Sequence, residues 1–88
     1  MLRPVIVTVT PREAAETLHE LLLDYQATLE HDDGDSRVNI EPIDDLRRGT
    51  VIYRVIQASR AVEERHPDAT MYLVTEDGNR WRLPPPAL

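Results

Sequence analysis

The chain has 88 residues and a net charge of -6, and it contains no cysteine. That length predicts a single domain with one core, and the lack of cysteine excludes a disulfide framework and thiolate metal sites. An acidic chain without a basic run lacks the electrostatic footprint for nucleic acid or anionic lipid. No stretch has the apolar length of a membrane span or the pattern of a signal peptide. All ten residues of the Lys and Arg class are arginine, which is typical of GC-rich coding sequences and favours a bacterial source. The lack of cysteine fits a reducing cytoplasm.

The first half of the chain predicts a strand followed by a long helix. Residues 5–10, VIVTVT, alternate between two faces as a strand does. The sequence TPRE at 10–13 predicts a capping box, in which the Thr10 hydroxyl accepts from the Glu13 amide. Apolar residues then recur at helical spacing, which predicts one helix that ends near His31. Its expected buried stripe consists of Ala14, Leu18, Leu21, Leu22, Tyr25 and Leu29.

The next segment predicts a strand with one wet face and a second helix. Residues 36–41 alternate, and Pro42 is expected to end this strand because proline cannot donate to a ladder. Residues 42–49 form a connector, and residues 50–65 show a helical apolar stripe. Ser59 lies on that stripe, where a hydroxyl bonded to its own backbone is expected rather than a nucleophile.

A β-hairpin is predicted at 70–83. Strands at 70–75 and 80–83 flank Asp77-Gly78, and an Asp-Gly pair between alternating segments indicates a two-residue turn. This register pairs Val74 with Trp81 and Tyr72 with Leu83. Val74, Trp81, Tyr72 and Leu83 then all face the core, so Trp81 is expected to be buried.

The order β-α-β-α-β-β predicts an α+β, two-layer sandwich at 1–83, with a proline-rich tail at 84–88. Right-handed crossovers would give a mixed four-stranded sheet with both helices on one face. The other face, which we call the open face, would be left without a covering layer.

The open face is the predicted interaction surface. It is expected to hold an apolar centre of Ile6, Met71 and Leu73 within a rim that includes Glu41, Arg80 and Arg82. An apolar centre with a charged rim is typical of contact patches. A two-fold copy could pair Arg82 with Glu41, so the expected partner is a second copy, as a homodimer, or another protein.

The sequence offers no set of nucleophile, base and metal ligands, and it has no glycine-rich phosphate loop. We therefore predict no catalytic, cofactor-binding or metal-binding residues, and a non-enzymatic protein–protein interaction domain. Two alternatives stay open. One is a small enzymatic or ligand-binding subunit whose site forms at an oligomer interface, with Arg80 and Arg82 for an anionic group. The other is a structural subunit of a phage or secretion assembly.

The pattern as a whole resembles a known family. The opening VIVTVT, the two amphipathic helices separated by a strand, and the ending ATMYLVTEDGNRWRL resemble effector-associated constant component domains of bacterial conflict systems. The resemblance covers about residues 5–83. It implies a small α/β adaptor or recruitment module that acts beside an effector such as a protease, and it brings no catalytic motif.

Overall fold

A computed structural model describes residues 3–31, 35–43, 45–75 and 77–85, except for the side chains of Arg3, 41–43, Asp45 and Leu46. These residues form two α-helices and one five-stranded sheet, with strands in the order β2-β3-β1-β4-β5. The elements are β1 (Arg3–Thr10), α1 (Arg12–Leu21), β2 (Ala27–His31), β3 (Ser36–Ile43), α2 (Asp45–Arg65), β4 (Thr70–Val74) and β5 (Arg80–Leu83), with a 3-10 turn at Leu23–Tyr25. All neighbouring strands are antiparallel. The α+β class is confirmed, and the mixed four-stranded sheet is wrong.

The additional strand comes from the predicted long helix, which ends at Leu21 instead of near His31. Gln26 has a φ of 58°, a left-handed conformation that stops the helical path, and β2 follows. Ala27 pairs with Ile40 on β3, and Leu29 pairs with Val38. The apolar residues after Leu21 fit a helical period and a strand period equally well, and pairing with β3 decides between them. Gly34, a glycine just after the predicted helix end that would suit a left-handed helix cap, lies outside the described residues.

The helix start also differs from the predicted capping box. Helix α1 has no side-chain cap, and its first turn is closed by the Pro11 carbonyl, which accepts from the amides of Ala14 and Ala15 at 3.1 and 3.2 Å. Thr10 instead belongs to β1, where its hydroxyl is 2.8 Å from the Thr70 hydroxyl of β4. A cross-strand partner has therefore replaced the helix amide as the partner of this side chain.

Pro42 does not end its strand, because β3 continues to Ile43. The β1–β3 register shifts at this point: Val5 pairs with Ile40 but Arg3 pairs with Ile43, which marks a β-bulge. A bulge is one of the few places where a sheet accepts proline, since the ladder is interrupted there anyway. Helix α2 then begins at Asp45, five residues before the predicted start.

The hairpin register is shifted by one residue from the prediction. The amide of Thr75 donates to the Asn79 carbonyl at 2.9 Å, so three residues, not two, form the loop. Gly78 takes the left-handed conformation at the end of this loop, with a φ of 85°. A three-residue loop that ends in a left-handed glycine is the next most common hairpin connection after the two-residue turn. Met71 consequently pairs with Leu83, and Leu73 pairs with Trp81.

The core is formed by buried residues of the sheet and of the two helices. Along β1, Val5, Val7 and Val9 are at most 1% exposed, while the residues between them are half-buried. The strands contribute Ala27, Val38, Ile40, Met71 and Leu83 to this core, and the helices contribute Ala14, Ala15, Leu18, Val51, Val55, Ala58 and Val62. Helix α1 contacts β1, β2, β3 and α2, and α2 contacts β5. Neither described helix has the length and apolar character needed to cross a membrane.

Candidate functional site

The second face of the sheet, the open face, carries side chains that are half-buried or exposed in the described residues. Cross-strand pairing arranges them in two rows that cross all five strands. The first row is Glu30, Arg37, Thr8, Tyr72 and Arg82, and the second is Thr28, Asn39, Ile6, Val74 and Arg80. Both rows therefore run from a strand with an acidic residue, β2, to a strand with two basic residues, β5.

The centre of the open face is apolar. Ile6 on β1 pairs directly with Val74 on β4, and Tyr72 lies two residues from Val74 on the same face. All three side chains are half-buried. Threonines flank them and are satisfied within the sheet: the Thr8 hydroxyl donates to the Tyr72 carbonyl at 3.5 Å. The centre therefore presents hydrocarbon and ring surface, with the Tyr72 hydroxyl and the neighbouring Asn39 as its polar groups.

The margins of the open face are charged, and they differ. On the β2 side, the Glu30 carboxylate lies 3.5 Å from the Arg37 guanidinium, with the two side chains 56% and 44% exposed. On the β5 side, Arg80 and Arg82 are both exposed, and neither forms an ion pair or hydrogen bond with any residue of the described ranges. The β5 margin is thus a pair of positive charges that no described residue neutralises, on a protein of net charge -6.

The structure brings together some of the predicted interaction residues and separates others. Ile6, Arg80 and Arg82 lie on the open face as expected. Met71 and Leu73 were expected beside Ile6, and this placement is wrong: Met71 is 1% exposed in the core, and Leu73 packs against the core. The shift of the hairpin by one residue exchanges the two faces of β4. The side chain of Glu41 lies outside the described residues.

Tyr72 and Val74 are the open-face residues that sequence reasoning assigned to the core. Val74 shares its face with Arg80, and Tyr72 shares its face with Arg82. The signal that could have found them is Gly78, because a glycine suits the left-handed third position of a three-residue loop as well as Asp-Gly suits a two-residue turn.

The loop that sets this register is held by its own polar side chains. The Thr75 hydroxyl donates to one Asp77 carboxylate oxygen, and the Asn79 side-chain amide donates to the other at 2.9 Å. Hydrogen bonds lower the pKa of Asp77 below its ordinary value, because they favour the charged carboxylate. The bond from the Thr75 hydroxyl has the largest effect, and nearby amides add to it.

Other surface features lie on the helical side. Trp81 is 64% exposed although it shares the face of Leu73, because β5 is an edge strand. Leu23 and Tyr53 are 55% and 59% exposed. An open groove of about 340 Å³ lies between the end of α1 and α2. It is lined by Leu21, Leu22, Asp24, Tyr25, Arg54, Gln57, Ala58 and Ala61.

Ser59 and two of the histidines form hydrogen bonds within the fold. Ser59 is fully buried, and its hydroxyl donates to the Ile56 carbonyl at 2.7 Å, the backbone bond expected from the sequence. His66 lies 3.1 Å from the Thr17 hydroxyl, and His31 lies 2.8 Å from the Ser36 hydroxyl. Over the described residues, no three His, Asp or Glu side chains converge in a way that could hold a metal ion.

Comparisons with protein-family models, with curated proteins and with solved structures find no match to this chain.

Proposed function

We propose that this chain is a non-enzymatic protein–protein interaction domain, an adaptor or recruitment module that docks a partner through its open face. In this proposal both helices cover the buried face in a two-layer arrangement, and the open face is the surface left for the partner. The partner is a second copy of the chain or another protein of the same cytoplasm.

The apolar centre of Ile6, Tyr72 and Val74 is the observation that carries the proposal. The solvated face of an antiparallel sheet is normally polar. Here β1 and β4 put an isoleucine, a valine and a tyrosine side by side on that face. Tyrosine combines a large apolar body with a hydroxyl, which is why it is enriched in contact patches. A charged margin around an apolar centre is the usual anatomy of an interface.

The charge order along the rows favours a second copy as the partner. A two-fold axis parallel to β1, lying between two open faces, would put β2 of each copy over β5 of the other. Glu30 would then face Arg82 at both ends of the first row, and Ile6 of one copy would face Ile6 of the other at the middle of the second row. A two-fold contact makes each favourable charge pair twice. This arrangement replaces the pairing of Arg82 with Glu41 expected from the sequence.

Light scattering across a concentration series tests the proposal. The variant Ile6→Glu puts a charge in the apolar centre, so it should abolish association while circular dichroism shows an unchanged fold. Thr50→Glu, at an exposed position of α2, adds the same charge away from the open face and should associate like the wild type.

A wild type that stays monomeric at high concentration would contradict the homodimer and leave another protein as the partner. The purified products of neighbouring genes are then the candidates, because the resemblance to effector-associated domains implies a partner encoded alongside. Binding of such a product should be lost in Ile6→Glu and kept in Thr50→Glu. Equal binding by both variants would overturn docking through the open face.

A further inference from the structure

The β5 edge of the sheet combines three features on four residues. β5 is the last strand in the sheet order, so one of its sides has no partner strand in the described residues. Arg80 and Arg82 are exposed on the open face of this strand, and Trp81 is exposed on the opposite face. An unpaired strand edge is a template for another extended chain, which it can bind through main-chain hydrogen bonds.

The hydrogen-bond phase of the hairpin shows which backbone groups this edge offers. The Thr75 amide donates to the Asn79 carbonyl, so these two residues form a hydrogen-bonded pair. Hydrogen-bonded and non-hydrogen-bonded pairs alternate along an antiparallel ladder. Trp81 and Leu83 therefore direct their N–H and C=O groups toward β4, while Arg80 and Arg82 direct theirs outward. The same two arginines thus supply the outward backbone groups and the positive side chains.

From these features we infer that β5 binds an acidic extended segment of another protein as a sixth, antiparallel strand. The residues of that segment opposite Arg80 and Arg82 would lie on the arginine side of the sheet, where carboxylates would neutralise both guanidinium groups. The residue between them would lie on the other side, against the ring of Trp81. The recognised pattern is therefore acidic, apolar, acidic over three successive residues.

Protection against unwanted strand pairing does not by itself explain the side chains of β5. Charged side chains and proline do keep sheet edges from pairing, and β5 has two arginines and is followed by Pro84. That purpose would be served at least as well by a polar residue at position 81. Instead the chain's one tryptophan is 64% exposed between the arginines. Aromatic and arginine side chains are the types that most often dominate binding energy at interfaces.

Charge favours a foreign acidic segment over a second β5. Two β5 strands paired about a two-fold axis would bring the arginines of one copy against those of the other, and like charges opposite each other destabilise a strand pair. The inference rests on the proposed function in that it names the partner of an interaction domain. A guanidinium has five N–H donors, so Arg82 can serve the added strand and a second copy together.

Titration with a capped peptide, acetyl-Thr-Glu-Val-Glu-Thr-amide, tests the inference, with the fluorescence of Trp81 as the readout. Binding should be saturable and should shift the emission to shorter wavelength, because the valine covers an exposed ring. The peptide with glutamine in place of both glutamates should bind at least about tenfold more weakly, since charge-assisted hydrogen bonds are lost. The peptide in which the backbone nitrogens of both glutamates are methylated should not bind. It keeps the charges, but it cannot donate backbone hydrogen bonds to the β5 edge.

Charge reversal provides the matched variants. The double variant R80E/R82E should lose the glutamate peptide and gain the corresponding lysine peptide. The variant R60E/R65E changes the net charge equally at exposed positions of α2 and should bind as the wild type does. No saturable binding by the wild type, or equal binding of the methylated peptide, would overturn strand addition. A Trp81 shift on raising protein concentration alone, removed by R80E/R82E, would assign the edge to a second copy and overturn the acidic segment.

The two proposals fail separately. Ile6→Glu changes the centre of the open face, two strands away from β5, and leaves the backbone of β5 untouched. Loss of docking in Ile6→Glu with intact peptide binding would therefore support both proposals. Intact docking through the open face together with no peptide binding would overturn only the inference on β5.

Discussion

The two edge strands of the sheet, β2 and β5, differ in the contacts that their charged and apolar side chains make. On β2, the charged residue of the open face is neutralised by its neighbour on β3, at 3.5 Å, and the apolar Leu29 packs against the core. On β5, the charges are of one sign and without a partner in the described chain, and Trp81 is exposed between them. The comparison teaches that the charge on β2 has a partner on the neighbouring strand, whereas no described residue pairs with the charges on β5.

The largest expected effect on the free energy of unfolding comes from the leucine that each strand directs toward the core. Leu83 on β5 is 3% exposed, and Leu29 on β2 is half-buried. We expect Leu83→Ala to lower the free energy of unfolding by about 3 kcal/mol and Leu29→Ala by about 1 kcal/mol, because the cost follows the buried volume removed. Urea denaturation measures both. Equal losses would show that β5 is no better anchored than β2, and that its exposed tryptophan reflects a loosely held strand.

The loop that fixes the register of β5 gives the next effect. Gly78 has a φ of 85°, and a Cβ at this position would meet no atom within 4 Å. Gly78→Ala should therefore lower the free energy of unfolding by about 1 kcal/mol through backbone conformation alone.

Gly49 is the matched control for Gly78, because its Cβ would also meet nothing within 4 Å, but it lies inside α2. Gly49→Ala should raise the free energy of unfolding by up to about 1 kcal/mol, since alanine favours a helix interior. A loss of stability at Gly49, or none at Gly78, would contradict the placement of these two residues.

The same loop shows where sequence reasoning reached its limit. The alternation of β1 and β3 predicted the correct buried faces, because each of these strands has one face in the core and the pattern is set locally. The face of β4 depended on a loop length, and Asp77-Gly78 is compatible with two lengths that bury opposite faces. The helix expected beyond Leu21 failed for a similar reason, since Leu29 fits both periods and only its partner Val38, distant in sequence, decides. The open-face residues Tyr72 and Val74 were missed through the first of these ambiguities.

A smaller effect is expected from the ion pair that distinguishes β2. A double-mutant cycle on Glu30→Gln and Arg37→Gln should give a coupling energy of about 0.5 kcal/mol, because both side chains are about half exposed and water screens the pair. The coupling should shrink in high salt. A coupling that is zero at low salt would remove the contrast between β2, with its ion pair, and β5, whose arginines have no partner among the described residues.

The effect of pH on the β5 loop is the smallest. Because hydrogen bonds lower the pKa of Asp77 in the folded state, its contribution to stability is present above the ordinary value of 3.8 and is lost as the pH falls through the folded pKa. Asp77→Asn should therefore show a shallower loss of stability in acid than the wild type. An identical loss of stability at acid pH in both proteins would mean that the carboxylate does not hold this loop.

Amide hydrogen exchange along β5, followed by NMR, tests the central claim most directly. The register predicts fast exchange at Arg80 and Arg82, whose amides point away from the sheet, and slow exchange at Trp81 and Leu83, whose amides donate to β4. Adding the glutamate peptide should slow exchange at the two arginines. Protection of Arg80 and Arg82 in the protein alone, with fast exchange at Trp81, would contradict both the register and the unpaired edge.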